Sequence, residues 1–299
     1  MPKVEMNGFQ LHYDITGSGP ALICIHPPLL TGDIFAYQRD GLADVCRVIT
    51  FDVRGHGQSA PSPDRLTYSL IAGDIIGLMN HLGIPQAYLC GYSTGGEVAL
   101  EAMLNYPERF LGGILISAMS EMSDLYNKSR LWAAIALSKL RATGLLSAAI
   151  TWGNADNRRT FRQLYKTAAA GDRLHLHQYY EASYGYRVTD RLHRIQSPVL
   201  LVYGEKDRSF RKYAEIMRRK LGNRELYYIP GAKHQIPTKS PYELHQLIRS
   251  WLKTQQRAVS SSSLAEPSKL REAPIEPIPA WSDAQPQLPV QEQEQELQR

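Results

Sequence analysis

Ser93, Asp207 and His234 are the residues of this chain whose types and order could do covalent chemistry. A serine hydroxyl attacks a carbonyl only when a neighbouring base takes its proton, and that base needs an acid to hold its tautomer. Ser93 lies in Gly91-Tyr92-Ser93-Thr94-Gly95, directly behind the apolar run Ala87-Tyr88-Leu89-Cys90. Gly96 and Glu97-Val98-Ala99-Leu100-Glu101-Ala102-Met103-Leu104 follow, a helix-forming stretch that ends near Asn105 and Pro107. Strand, Gly-x-Ser-x-Gly and helix in that order make a sharp turn with the serine at its apex, where small residues let strand and helix approach closely. The helix N-terminus beneath the serine offers backbone amides and a dipole to developing negative charge.

The motif by itself is common, so the acid and the base must come from elsewhere. Val199-Leu200-Leu201-Val202-Tyr203 reads as a strand with Gly204-Glu205-Lys206-Asp207 at its carboxyl end; Glu225-Leu226-Tyr227-Tyr228-Ile229 reads as another, followed by Pro230-Gly231-Ala232-Lys233-His234. In a doubly wound sheet such loops border the crevice in which Ser93 emerges. Alone, Asp207 suits a turn or a helix N-cap and His234 an ordinary loop. The joint placement of three residue types at three strand ends points to a triad. Asp124 and Glu121, after the Leu111 to Ser117 strand, are alternative acids. His175, His177, His193 and His245 read as surface positions on helices.

These residues need a scaffold, and the apolar pattern describes one. Strand-like runs recur at Gln10 to Thr16, Ala21 to His26, Arg47 to Asp52, Ala87 to Cys90, Leu111 to Ser117, Val199 to Tyr203 and Glu225 to Ile229. Most are continuously apolar, which predicts a mostly parallel α/β sheet covered by helices on both faces. Phe9 to Ile15 alternates instead and suits an antiparallel edge strand. Between Ser117 and Ser197 no convincing strand occurs, and helical patterns such as Leu131 to Leu140 dominate, as expected of an inserted helical lid. Trp132, Leu145, Leu146, Trp152, Tyr179, Tyr180 and Tyr184 are placed either to line a pocket or to pack the lid itself. The predicted organisation is a core over 1–118 and 197–256, a helical insertion over 119–196, and a disordered Pro/Glu/Gln-rich tail over 257–299.

Composition narrows the function classes. The 299 residues, 43% hydrophobic, suffice for one large domain with an insertion. Neither a signal peptide nor an uncharged run near the roughly 20 residues of a membrane span is present, so the expectation is a soluble cytoplasmic protein without a membrane partner. Cys24, Cys46 and Cys90 are widely spaced and read as buried thiols, with no spacing for zinc or disulfides. The net charge of +5 hides an acidic tail: four Lys/Arg against seven Asp/Glu from residue 256 onward leave the body at +8. Its arginines interleave with helical apolar spacing and form no nucleic-acid motif, so solvated helix faces are expected, not a nucleic-acid partner.

Residues 1 to about 255 resemble the α/β-hydrolase family. The resemblance rests on His26-Pro27 after one strand, Asp52-Val53-Arg54-Gly55-His56-Gly57-Gln58-Ser59 after the next, GYSTGG at the turn, Gly204-Glu205-Lys206-Asp207 and Gly231-Ala232-Lys233-His234. It implies a hydrolase with Ser93 as nucleophile, His234 as base, Asp207 as orienting acid, an acyl-enzyme intermediate, a small-molecule ester or lactone substrate, and no metal or organic cofactor. A serine at this position separates the chain from the family's haloalkane dehalogenases and epoxide hydrolases, which carry aspartate there. The DxRGHGxS stretch resembles the family's structural turn, which makes His56 a scaffold residue. The resemblance also implies two backbone donors for the oxyanion. Thr94 supplies one, but the second falls on Pro28, which has no N–H, so the expectation moves to Leu29. The same prolines keep open an alternative of another class, a ligand-binding or signalling protein on the hydrolase fold with slow turnover.

Overall fold

In a computed structural model, residues 2–140 and 142–264 are described, the side chains of 258–264 excepted. Eight strands form one sheet in the order β1-β2-β4-β3-β5-β6-β7-β8. They are β1 Lys3–Met6, β2 Phe9–Thr16, β3 Ala21–Ile25, β4 Arg47–Phe51, β5 Ala87–Tyr92, β6 Phe110–Ile116, β7 Val199–Gly204 and β8 Arg224–Ile229. From β4 to β8 all neighbours pair parallel; β1 and β2 pair antiparallel.

Alternation within the parallel strands sorts the core onto two faces. Ile23 and Ile25 of β3, Leu89 of β5 and Leu201 of β7 belong to one cluster, with helices α2 (Tyr68–His81), α3 (Gly95–Asn105) and α8 (Arg211–Lys220). Leu22 and Cys24, Tyr88 and Cys90, Leu200 and Val202 belong to the other, with α1 (Ala36–Leu42) and α10 (Pro241–Leu264). Burial on both faces is why these strands read as continuous apolar runs. All three cysteines are free and buried.

Three expectations need correction. The edge of the sheet is β1, not the Phe9–Thr16 strand, which lies between β1 and β4. The missed strand closes a hairpin through Asn7 and Gly8, at φ 48° and 75°, the residue pair that a two-residue turn with both centres left-handed favours. His175 is buried: its Nδ1 meets Asp172 Oδ1 at 2.8 Å and its Nε2 accepts from the Ser62 N–H at 3.2 Å. Finally, residues 257–264 carry helical backbone to the end of α10. Propagating an existing helix costs far less than starting one, and serine opposes it only weakly. The rest of the expected tail, 265–299, lies outside the described residues.

Between β6 and β7 come α4 (Leu125–Lys139), α5 (Thr143–Asn154), α6 (Arg158–Ala168) and α7 (Arg173–Gly185), with α9 (Ile236–Lys239) following β8. Asp124, Asn157 and Asp172 cap the N-termini of α4, α6 and α7 through their side chains. No helix among the described residues is long and apolar enough to cross a membrane.

Candidate active site

Strand β5 ends at Tyr92, α3 begins at Gly95, and Ser93 turns the chain between them at φ 53°. A left-handed serine costs about 1–2 kcal/mol, and the surrounding packing must hold it there. A Cβ on Gly91 would come within 2.5 Å of Gly96 Cα, and one on Gly95 would collide with the Ile25 carbonyl. The glycines are therefore required by the close passage of α3 over β5 and β3. The Ser93 N–H donates to the Ile116 carbonyl at 2.8 Å, tying the bend to the end of β6.

The loops after β7 and β8 bring Asp207 and His234 to that bend. His234 Nδ1 lies 2.8 Å from Asp207 Oδ2, and His234 Nε2 lies 3.1 Å from Ser93 Oγ. A carboxylate only accepts, so this arrangement puts the imidazole proton on Nδ1 and leaves the Nε2 lone pair facing the hydroxyl. Phe210 and Tyr92 pack against the ring, with centroids 4.3 and 5.6 Å away. Ser209 Oγ donates to Asp207 Oδ1 at 2.9 Å, and Ser117 Oγ donates to the His234 carbonyl at 3.1 Å. The alternative acids are committed elsewhere. Asp124 caps α4 and accepts from the Tyr213 hydroxyl, and Glu121 pairs with Arg187 at 3.0 Å.

The other motif histidines serve the scaffold. His26 Nε2 accepts from the Val53 N–H at 2.9 Å and its Nδ1 donates to the Pro27 carbonyl at 2.9 Å. His56 Nδ1 donates to the Arg54 carbonyl at 3.2 Å, and burial pushes its pKa down to about 3, so the ring stays neutral. Asp52 accepts from the Gly32 and Gln58 amides and from His12 Nδ1, each at 2.9 Å. Burial opposes its ionisation, but these bonds and the nearby His26 outweigh that and hold its pKa below the usual value. Arg54 is fully buried, bonded to Asp74 at 2.6 and 2.8 Å and stacked 4.2 Å above Phe9.

A cavity of about 310 Å³ opens at Ser93 and His234, walled by Pro27, Pro28, Leu30 and Met119 on the sheet side and by α4 and α5 opposite. Of the aromatic and apolar residues named from sequence, Leu146 and Tyr180 line it. Trp132, Leu145, Trp152 and Tyr184 face solvent, and Tyr179 is buried with its hydroxyl on the His26 carbonyl at 2.8 Å. The Thr94 and Leu29 amides donate to no group among the described residues, and Leu29 sits at φ 70° in the turn after the two prolines. The sequence reading gave Tyr92 no role of its own and did not reach Phe210, three positions past Asp207; Asn154, whose Oδ1 accepts from the Tyr92 hydroxyl at 2.9 Å, carries no sequence signal.

Comparison with known proteins follows the geometry. The profile of the alpha/beta hydrolase fold family matches residues 20–238. Over 259 residues the chain is 28% identical to the human serine hydrolase BPHL, covering 84% of this chain and 85% of that protein. The 3-oxoadipate enol-lactonase 2 of Acinetobacter baylyi is 30% identical over 168 residues, 54% of this chain and 61% of the lactonase. Among solved structures, a thermophilic esterase from Thermogutta terrifontis aligns with a TM-score of 0.74 at 25% identity, over 85% of this chain and 99% of the esterase. With a family profile spanning most of its length and an eight-stranded sheet to carry it, the chain belongs to the alpha/beta hydrolase fold family.

Proposed function

We propose that this protein is a serine hydrolase of esters, lactones or related carbonyl compounds, with Ser93 as nucleophile, His234 as general base and Asp207 as its orienting acid. The observation that carries the reading is the unbroken hydrogen-bonded chain from Asp207 through His234 to Ser93, at 2.8 and 3.1 Å, opening on a largely apolar cavity. Relatives described as a serine hydrolase, an enol-lactonase and an esterase support hydrolysis.

His234 takes the hydroxyl proton as Ser93 Oγ attacks the carbonyl, and Asp207 stabilises the imidazolium. The oxyanion accepts from the Thr94 N–H at the start of α3 and, since Pro27 and Pro28 have none, from the Leu29 N–H. Collapse expels the alcohol, which leaves with the proton from His234. Water, deprotonated by the same ring, then attacks the acyl-enzyme, and a second collapse frees the acid and restores Ser93. The helices of 119–196 serve as the lid that shields these steps from bulk water.

Turnover of short-chain p-nitrophenyl esters tests the reading. Wild type should hydrolyse them and bind a fluorophosphonate covalently, whereas Ser93→Ala should lose both, with kcat falling on the order of 10⁶-fold. Labelling without turnover would favour the slow ligand-binding alternative. Undiminished turnover by Ser93→Ala would overturn the assignment.

A further inference from the structure

The wall of the cavity is electrostatically one-sided. Among the described residues no aspartate or glutamate lines it, and apart from His234 its one ionisable cation is Arg130. Asn127, Arg130, Leu131, Ala134 and Leu137 fall at helical spacing on α4 and form the stripe that faces the cavity. Among the described residues Arg130 has no carboxylate partner; its guanidinium lies 5.5 Å from the Tyr126 ring.

Of the neutral polar groups of the wall, the two asparagines are spent, whereas the buried Thr94 Oγ1 has no partner among the described residues. Asn154 bonds the Tyr92 hydroxyl through Oδ1 and the Ile150 carbonyl through Nδ2, both at 2.9 Å. Asn127 Nδ2 donates to Asp124 and to the Ser209 carbonyl. An apolar chamber therefore has one strong uncommitted donor at the α4 wall and the nucleophile at its floor. A guanidinium without a counter-ion binds a planar carboxylate through two parallel N–H···O bonds. A volume of about 310 Å³ leaves room for a small ester with a short acyl chain.

Resting on the hydrolase reading above, we infer that the substrate is a small ester or lactone whose acyl part ends in a carboxylate, and that Arg130 binds this carboxylate while Ser93 meets the carbonyl. Hydrolysis adds one water across the acyl C–O bond and yields a dicarboxylic acid and an alcohol from an ester, or a single hydroxy dicarboxylic acid from a lactone. Cationic esters are disfavoured twice, by Arg130 and by the lack of an acid among the described residues of the wall.

A matched pair of substrates tests it: monomethyl glutarate, and methyl pentanoate, in which a methyl group replaces the carboxylate. Hydrolysis of each is followed by alkali uptake at constant pH for wild type, Arg130→Gln, Arg130→Lys and Ser93→Ala. The readout is the ratio of kcat/KM for the half-ester to that for the neutral ester. In wild type the half-ester should be preferred, and Arg130→Gln should lower the ratio about 10- to 100-fold. Arg130→Lys should keep part of it, and added salt should erode it. Arg130 is exposed, so the variants should melt like wild type. A ratio that Arg130→Gln leaves unmoved, or a wild-type preference for methyl pentanoate, overturns the Arg130 assignment and leaves the hydrolase reading standing. If wild type hydrolyses neither ester faster than Ser93→Ala, the hydrolase reading falls and this inference with it.

Discussion

Two of the aspartate–histidine pairs in this fold, one at the elbow and one in the DxRGHGxS turn, have nearly identical lengths but differ in what the second ring nitrogen meets. Asp207 and His234 are 2.8 Å apart, Asp52 and His12 2.9 Å. His234 turns Nε2 to the Ser93 hydroxyl beside an open cavity, and its side chain is 20% exposed. His12 turns Nε2 to Gln58 and is walled in with Asp52, at 6% and 4% exposure. Asp52 also accepts two backbone amides, whereas among the described residues Asp207 accepts only the Ser209 hydroxyl besides its histidine. The same pair of side chains is thus a bracket for a loop in one place and, on the hydrolase reading, a proton-handling device in the other. A nucleophile and space for a substrate make the difference.

Breaking each pair in turn should separate the two roles. Asp207→Asn should lower kcat by about 10⁴ with little change in stability, because the amide would favour the wrong tautomer of His234; steady-state kinetics beside a melting curve decides this. Asp52→Ala should do the reverse. It strips partners from the Gly32 and Gln58 amides and from His12, and should cost about 3–5 kcal/mol in chemical denaturation. Turnover per fluorophosphonate-titrated site should stay near wild type. The smallest effect concerns protonation. The folded-state pKa of His56, about 3, lies below the unfolded value, so its stabilising contribution is complete above roughly pH 6.5 and is lost as pH falls toward 3. His56→Asn should flatten that acid limb by about 1.4 kcal/mol per pH unit, measured as the difference between urea midpoints at pH 7 and pH 5. An unchanged limb would mean that the ring takes up its proton as readily in the folded state as in the unfolded one.

The sheet was legible because its strands are buried on both faces and therefore carry long apolar runs; β1, with only Val4 buried, shows no such run. The Asn7-Gly8 pair was the available signal for it. The three residues that meet at the elbow could be picked out because each follows a recognisable strand, and strand ends in a doubly wound sheet converge. The insertion resisted reading. Which face of α4 or α5 looks into the cavity depends on packing against other helices, so Arg130 and Asn154 resemble their neighbours in sequence. The burial of His175 likewise depends on contacts from the distant Gly55 and Ser62 segment.

The left-handed bend at Ser93 also has a meaning for how such a chain changes over generations. Glycine adopts that conformation freely, so a descendant released from catalysis would lose little by exchanging the serine for glycine and would relax the turn. Drift at this codon therefore runs toward inactivity. On the hydrolase reading, only continued use of the hydroxyl holds the population against that slope.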